Sequence, residues 1–217
     1  MVAKRRKVSN ILALALLALL VAGHPMHPYQ MANVLRRTGK ERDMKIKMGS
    51  LYTVVQNLEK HGFIEATGSH REGRRPERTL YAITDAGRSE LTDWLRELVA
   101  VPEPEYPRFT AALSVLGALP PEEATALLAE RLRALEDDIT VQRAMLEQSG
   151  DLTRLFLIEA EYALAMRAAE AAWVRSLLQE LVDGTFPGIA EWHDFHEIGR
   201  IGAGFTQMVA EGGMPTD

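Results

Sequence analysis

The alternation of apolar and polar positions predicts a series of short helices at the start of the chain. A nearly unbroken apolar run covers residues 11–22, which is typical of a helix buried on all sides at the centre of a domain. Ser9 or Asn10 can cap this helix. A second helix is predicted from Pro28 to about Arg37, because proline favours the first position of a helix. In a third, from about residue 48 to residue 61, apolar residues recur at helical spacing at Leu51, Val54, Val55 and Leu58.

After the third helix the pattern changes to that of β-structure. Residues 63–67 and 79–84 are rich in apolar and β-branched side chains, and a polar loop containing Gly73 joins them. Thr84 can cap a fourth helix. Its apolar stripe is formed by Leu91, Trp94, Leu95 and Leu98. Three helices, a two-stranded hairpin and a further helix follow one another in the order of a winged helix–turn–helix, so we predict a mainly α fold with a small β-wing.

The second half of the chain contains two long helical segments. In residues 121–148 the apolar positions fall close to heptad spacing, at Leu128, Leu132, Leu135, Ile139 and Leu146. Ser149 and Gly150 are typical of a helix end, and Asp151 is predicted to cap a second helix that continues to about Val182. The stripe of that helix is Leu155, Tyr162, Met166, Ala169, Trp173 and Leu177. The pattern predicts an antiparallel helical hairpin.

The net charge also differs between the two halves of the chain, with the change near residue 100. Residues 1–100 hold 17 Lys and Arg against 10 Asp and Glu, a net charge of +7, whereas residues 101–217 hold 8 against 20, a net charge of −12. The total of −5 conceals this difference. Three prolines between Pro102 and Pro107 favour an extended linker. We therefore predict a winged helix–turn–helix domain at 1–100, a Pro-rich linker at 101–108, a helical dimerisation and effector domain at 109–198, and a flexible tail at 199–217.

The third helix and the hairpin loop are candidate nucleic-acid contacts. The polar face of the helix carries hydroxyl and amide groups and no carboxylate before Glu59, which suits a helix lying in the major groove. An ordinary solvated face is the alternative for the helix alone. The four arginines of the loop favour contact with phosphates. The predicted groove contacts are Ser50, Thr53, Gln56 and Asn57, and the predicted phosphate contacts are Lys45, Lys47, Arg71, Arg74, Arg75 and Arg78.

Several motifs in this order carry a family resemblance. They are Gly49-Ser50-Leu51-Tyr52 at the third helix, Leu-Glu-Lys-His-Gly-Phe-Ile at 58–64, Arg-Glu-Gly-Arg-Arg-Pro at 71–76 and Tyr-Ala-Ile-Thr-Asp-Ala-Gly at 81–87. With them, residues 8–98 resemble the PadR-type transcriptional regulators. The resemblance implies a homodimeric bacterial repressor that leaves a palindromic operator when a small molecule binds, and it adds Tyr52 to the DNA contacts. The second half is similar, less specifically, to the helical C-terminal domain of the longer members.

The second half of the chain is predicted to form the dimer, because a two-fold symmetric protein matches two operator half-sites. The predicted dimer contacts are Leu128, Leu132, Leu135, Ile139, Tyr162, Met166, Trp173 and Leu177. Burial of these seams within one subunit is the alternative. Aromatic and flexible side chains suggest a pocket for a planar apolar effector, unless most of them are core. They are Trp94, Tyr106, Phe109, Tyr162, Met166 and Trp173.

Enzymatic and metal-binding motifs are weak in this sequence. The chain has no cysteine, which excludes disulfides, thiol catalysis and cysteine-ligated zinc. Gly202-x-Gly204 lacks the third glycine of a phosphate-binding loop. His193 and His196 lack a third ligand of known placement, and the apolar residues around them indicate a short docking helix. We predict no enzyme activity, no cofactor and no metal site.

The N-terminus allows two interpretations. Lys4-Arg5-Arg6-Lys7 followed by an apolar run is also how a secretory signal begins, with a possible cleavage site at Ala22-Gly23. The run is too short to span a bilayer. We favour a buried first helix in a cytoplasmic DNA-binding protein without membrane partners. The alternatives are a secreted helical protein and a ligand-binding protein whose winged helix contacts other proteins.

Overall fold

The computed structural model describes residues 6–40, 48–70, 78–150 and 152–198. The chain separates into two compact units, Met1–Glu105 and Tyr106–Asp217. Helices dominate the described residues, and two strands among them form an antiparallel sheet. The predicted mainly α fold class with a small β-wing is thus confirmed. The predicted tail at 199–217 lies outside the described residues.

Helix α1 (Ile11–Val21) is the centre of the N-terminal unit. It packs against α2 (Pro28–Arg37), α3 (Met48–Lys60), β2 (Arg78–Ile83) and α4 (Asp85–Ala100). Neighbours on several sides explain why the helix is apolar almost all round. The predicted cap is confirmed, because Asn10 Oδ1 accepts a hydrogen bond from the Leu12 N–H at 3.0 Å.

Six side chains of α1 are buried, and burying a leucine contributes about 1.5–3 kcal/mol. Cleavage after Gly23 would remove all six from the core. The packing therefore favours retention of the helix over the secretory interpretation. Within the described ranges, no helix combines the length and the apolarity needed to cross a bilayer.

Helices α2 and α3 form the helix–turn–helix. α2 begins at Pro28, and His27 caps it in a box: His27 Nδ1 accepts from the Tyr29 N–H at 3.1 Å, and Gln30 Oε1 accepts from the His27 N–H at 2.9 Å. The predicted apolar face of α3 is confirmed. Its members Leu51, Val54, Val55 and Leu58 are all buried.

The wing is a hairpin of β1 (Ile64–His70) and β2, with Ile64 opposite Ile83. An irregularity in register lies between Ala66 and Gly68. Met26, in the loop before α2, exchanges two backbone hydrogen bonds of 3.0 Å with Tyr81. This short bridge fixes the base of the wing to the helix–turn–helix.

Helix α4 closes the N-terminal unit. Thr84 caps it as predicted, since its Oγ1 accepts from the Gly87 N–H at 3.1 Å. Leu91 and Trp94 are buried, and Leu98 packs against the same core. Leu95 is exposed, so its assignment to the apolar stripe is wrong. It follows Trp94 directly and is therefore turned by one helical step out of the buried sector.

The C-terminal unit is built on a hairpin of α6 (Pro121–Gln148) and α7 (Ile158–Val182). Near the end of α6, Arg143 lines a groove with Ala168 of α7. Nearer the start of α6, Arg131 lines another groove with Trp173, which lies further along α7. The two helices therefore run antiparallel, as predicted. The buried residues between them are Leu128, Leu135, Ile139, Ala171, Val174 and Leu181.

The start of α7 differs from the prediction. The helix begins at Ile158, and residues Arg154–Phe156 form a separate 3-10 turn, so the prediction that Asp151 caps α7 is wrong. The turn is tied to the helix by a bidentate pair between Arg154 and Glu161, with Nη2–Oε2 at 2.9 Å. This hydrogen bonding lowers the pKa of Glu161. Leu155, predicted for the helical stripe, therefore precedes the helix and is exposed.

Short helices complete the C-terminal unit. α5 (Arg108–Leu113) and a 3-10 turn at Leu116–Ala118 follow the prolines, and the sequence pattern predicted neither. The predicted docking helix is present as α8 (Ile189–Ile198). Its Trp192 Nε1 donates to the Leu119 carbonyl at 2.9 Å, and Ile189 and Trp192 pack against the core of the hairpin.

Candidate nucleic-acid interface

Helix α3 presents a polar face opposite its buried one. Thr53, Gln56 and Asn57 are exposed, and Ser50 is half-buried. No carboxylate precedes Glu59 on this helix. Amide side chains can pair with the edge of adenine, and hydroxyl groups can contact phosphates or bases. The face therefore has the chemistry of a helix that enters a major groove.

Tyr52 lies at the junction of α2 and α3. Its ring is exposed and meets the ring of His27 edge-on, with centroids 6.5 Å apart and an interplanar angle of 71°. His27 is itself fixed as the cap of α2. Tyr52 is thus positioned against the start of α2, with part of its ring left open to solvent.

The first carboxylate of α3 is engaged by the wing. The Tyr81 hydroxyl on β2 donates to Glu59 Oε2 at 3.4 Å. Burial raises the pKa of Tyr81, and the charge and hydrogen bond of Glu59 raise it further, so the phenol remains a donor at neutral pH. The acidic group therefore faces the wing rather than extending the polar face of α3.

The structure brings further polar residues to α3 that the sequence analysis did not assign. A groove of about 340 Å³ is lined by Lys7, Ser9 and Asn10 ahead of α1, and by Ser50, Thr53 and Asn57 of α3, over Val8 and Val54. The sequence signals for the first group are the basic stretch at residues 4–7, which is also typical of the start of a secretory signal, and the capping types of Ser9 and Asn10.

Most of the predicted phosphate contacts lie outside the described residues. These are Lys45, Lys47, Arg71, Arg74 and Arg75. Arg78 opens β2, where its backbone is opposite His70 in the hairpin. Contact of these six residues with phosphates stays a prediction.

The residues predicted for dimerisation divide into two sets. Leu128, Leu135 and Ile139 are buried inside one hairpin, and Leu132 and Leu177 pack against the same core. Tyr162, Met166 and Trp173 instead lie on the outer side of α7, 67%, 49% and 50% exposed. The first set packs within the subunit, which agrees with the alternative that these seams are buried inside one subunit. The second set is available to a partner.

The residues predicted for the effector pocket are divided between the two units, and those of the C-terminal unit do not all meet. Trp94 belongs to the core of the N-terminal unit, Tyr106 is fully open to solvent, and Tyr162 lies on the outer side of α7. Phe109 and Trp173 do meet, edge-to-face, with centroids 6.3 Å apart. They line a groove of about 580 Å³ together with Pro107, Arg108, Thr110, Leu113, Arg131 and Glu170.

The two histidines of α8 have separate partners. His193 Nδ1 lies 3.1 Å from Glu122 Oε1, and His196 Nε2 donates to the Gly117 carbonyl at 3.0 Å. Within the part of the chain that the structure describes, no cluster of three or more His, Asp and Glu side chains is placed to hold a metal ion. The histidines fasten α8 to the start of the C-terminal unit.

A helix–turn–helix with a wing, whose second helix exposes a polar face with no carboxylate before Glu59, is the arrangement of a winged-helix domain of the DNA-binding type. The sequence model of the transcriptional regulator PadR-like family matches residues 16–93, which run from the middle of α1 into α4. Residues 16–93 of the N-terminal unit therefore match a PadR-like domain.

Part of the chain is similar to a known regulator. The chain is 29% identical over 87 residues to the negative transcriptional regulator PadR of Bacillus subtilis (strain 168). That match covers 40% of this chain and 47% of the relative, so the chain spans about half the length of that protein.

Solved structures share the fold over most of the chain. The crystal structure of Bacillus subtilis PadR in complex with operator DNA is 21% identical, with a TM-score of 0.66, covering 79% of this chain and 99% of that one. The same protein in complex with p-coumaric acid is 22% identical, with a TM-score of 0.63, covering 79% and 98%. The Vibrio cholerae virulence activator AphA is 19% identical, with a TM-score of 0.60, covering 79% and 98%.

Proposed function

We propose that the protein is a sequence-specific DNA-binding repressor, without enzymatic activity of its own, that acts in the cytoplasm as a homodimer on a palindromic operator. The observation that carries the proposal is the exposed face of α3, which offers amides and hydroxyls and no carboxylate before Glu59. This helix belongs to the half of the chain with a net charge of +7, which attracts the phosphate backbone.

The relatives support the direction of regulation. The curated relative is a negative regulator, and a structural neighbour was crystallised with operator DNA. Another neighbour is an activator, so the sign of regulation needs its own measurement. A promoter–reporter fusion should become more active when the gene is deleted, and lower activity after deletion would reverse the assignment.

The direct test is selection of bound genomic fragments with the purified full chain, followed by titration of the selected duplex at several salt concentrations. We expect a palindromic site and an affinity that falls steeply with salt, because several cations would release counterions from the duplex. Weak binding that is insensitive to salt would contradict the proposal. It would favour the alternative in which the winged helix contacts proteins.

Replacing Asn57 by Ala is expected to weaken operator binding by about 1–3 kcal/mol through loss of one amide–adenine contact. Asn57 is exposed on α3 beside Thr53, so the truncation leaves the core of the unit intact. Fluorescence anisotropy on operators changed one base pair at a time should show that the penalty is confined to one position in each half-site. Gln148→Ala, which removes an exposed amide at the end of α6, serves as the control. Equal loss on every duplex would contradict base readout by Asn57.

The dimer is proposed to form through the outer side of α7. Ile158, Tyr162, Met166, Ala169 and Trp173 recur at spacings of three and four residues and are all exposed. They lie opposite the face that carries Ala171 and Val174 in the core. A helix that is apolar on two opposite sides buries both only when a second surface covers the outer one. A second copy fits, because operator half-sites require two-fold symmetry.

The effector is proposed to be a planar aromatic molecule that enters the groove between α5, α6 and α7. Its walls are the rings of Phe109 and Trp173, and Arg131 lies over Phe109 with its guanidinium carbon 3.6 Å from the ring centroid. Arg131 Nε also donates to Glu170 Oε1 at 2.7 Å. A neighbour of this fold was crystallised with p-coumaric acid, a planar phenolic acid.

Coupling between effector and operator is proposed to pass through Trp173. This residue lines the groove and also belongs to the exposed stripe of α7. A ligand that moves its ring changes the surface offered to the partner, and with it the spacing of the two recognition helices. The ligand releases the operator only if it binds the DNA-free conformation of the dimer more tightly than the DNA-bound conformation.

Replacing Phe109 by Leu is expected to weaken binding of a p-coumaric acid probe about twofold to tenfold, since an aromatic contact contributes about 0.5–1.5 kcal/mol. Isothermal titration calorimetry of the full chain measures the effect. Phe156→Leu is the matched control, because Phe156 is exposed in the 3-10 turn before α7 and does not line the groove. Equal affinities in the two variants would place the probe elsewhere.

A further inference from the structure

The chain ahead of α1 is fastened to the N-terminal unit by Arg6. Its Nη1 lies 2.8 Å from Glu90 Oε1, it also pairs with Glu97, and its guanidinium carbon is 5.3 Å from the centroid of the Trp94 ring. The Arg6 side chain is only 6% exposed. Burial alone would lower the pKa of Arg6, but hydrogen bonds and charge from the two glutamates outweigh it and raise the pKa. Arg6 is thus charged and neutralised inside the unit.

Burial alternates in the residues that follow Arg6. The side chains of Arg6 and Val8 are buried, whereas Lys7 and Ser9 are exposed. The chain bends at Lys7, and with Arg6 paired to its glutamates and Val8 in the core, the side chains of Lys7 and Ser9 are left on the outside. Lys7 and Ser9 line the groove of about 340 Å³ together with Val8, and Thr53 and Asn57 of α3 line it as well.

We infer that Lys7 is a further DNA contact, held beside α3 by the buried Arg6 and bound to a backbone phosphate at the edge of the groove that α3 enters. This inference rests on the proposed function. A helix lying in a major groove has phosphates on both sides, and a cation displaced from its axis meets them before it meets a base. Lys7 supplies positive charge at that place, and the face of α3 next to it bears no carboxylate.

The test is Lys7→Gln in the full chain, titrated with the selected operator and with an unrelated duplex at several salt concentrations. We expect the slope of log affinity against log salt to fall by about one and both duplexes to be weakened alike, because a phosphate contact carries no sequence information. The matched control is Arg96→Gln, since Arg96 is an exposed cation on α4 of the same unit. Its slope should equal that of the wild type.

The outcomes separate the inference from the proposed function. If Lys7→Gln keeps the wild-type slope while Asn57→Ala still weakens operator binding, DNA recognition stands and the role of Lys7 is overturned. If the wild type binds no duplex in a salt-dependent manner, the proposed function fails and this inference fails with it.

Arg6 is a positioning residue in this scheme, and a double-variant cycle tests that role. Arg6→Gln should lower the salt slope by the same amount as Lys7→Gln, and the double variant should show no further loss, because both changes remove one contact. Arg6→Lys should recover part of the slope by keeping a cation between Glu90 and Glu97. Circular dichroism at the titration temperature checks that each variant is folded. Additive losses would overturn the positioning role.

Discussion

Replacing Gly87 by Ala is expected to destabilise the N-terminal unit by about 3 kcal/mol, at the upper end of the range for overpacking. A Cβ at this position would lie 2.0 Å from the Phe63 carbonyl oxygen and 2.9 Å from Ile83 Cγ1. The first of these atoms is backbone and cannot swing aside. It also accepts a hydrogen bond from the Thr84 N–H at 3.1 Å, so moving it would break the junction between the wing and α4.

Calorimetry should show the unfolding transition of the N-terminal unit lowered by roughly 15 °C, at about 4–8 °C per kcal/mol for a unit of this size. Gly49→Ala is the matched control, because a Cβ at Gly49 meets no atom within 4 Å and lies in helix α3. That variant should be unchanged or stabilised by up to about 1 kcal/mol. Equal melting temperatures for the two variants would contradict the close packing of Gly87.

The N-terminal unit could be predicted from sequence because most of its signals are local. Pro28 and Thr84 begin helices through their own geometry and hydrogen bonding, and the faces of α1 and α3 follow from spacing alone. The anchoring of Arg6 could not be predicted in this way. Its partners Glu90 and Glu97 are 84 and 91 residues away, and only the packed fold brings them together.

The C-terminal unit was harder to predict because periodicity indicates that a residue is buried but not what covers it. Leu135 and Met166 follow the same spacing rule, yet Leu135 lies inside the hairpin and Met166 is on its outer side. Similarly, Asp151 is a good capping residue by type, but the pair of Arg154 with Glu161 holds a separate turn ahead of α7. This contact joins side chains seven residues apart at the boundary of the helix, and capping preferences do not include contacts of that kind.

Replacing both Tyr162 and Met166 by Glu is expected to convert the proposed dimer to a monomer. Under two-fold symmetry the same stripe faces its own copy, so four carboxylates would enter one apolar interface and repel each other. Burying unpaired carboxylates costs several kcal/mol, and even about 3 kcal/mol raises the dimer dissociation constant more than 100-fold. Sedimentation at about 10 µM, roughly tenfold above a dissociation constant of about 1 µM, should show the wild type as a dimer and the double variant as a monomer.

Ala168→Glu distinguishes a lost interface from a general effect of added charge. Ala168 is exposed on the same helix but lines a groove with Arg143 and Arg175, which would receive the new carboxylate. This control should remain a dimer and bind the operator as the wild type does. The double variant should instead bind each half-site independently. Its affinity for the full operator should be no higher than its affinity for a single half-site. If the double variant still sediments as a dimer, the outer side of α7 is not part of the interface. The apolar stripe of α7 would then be covered by another surface.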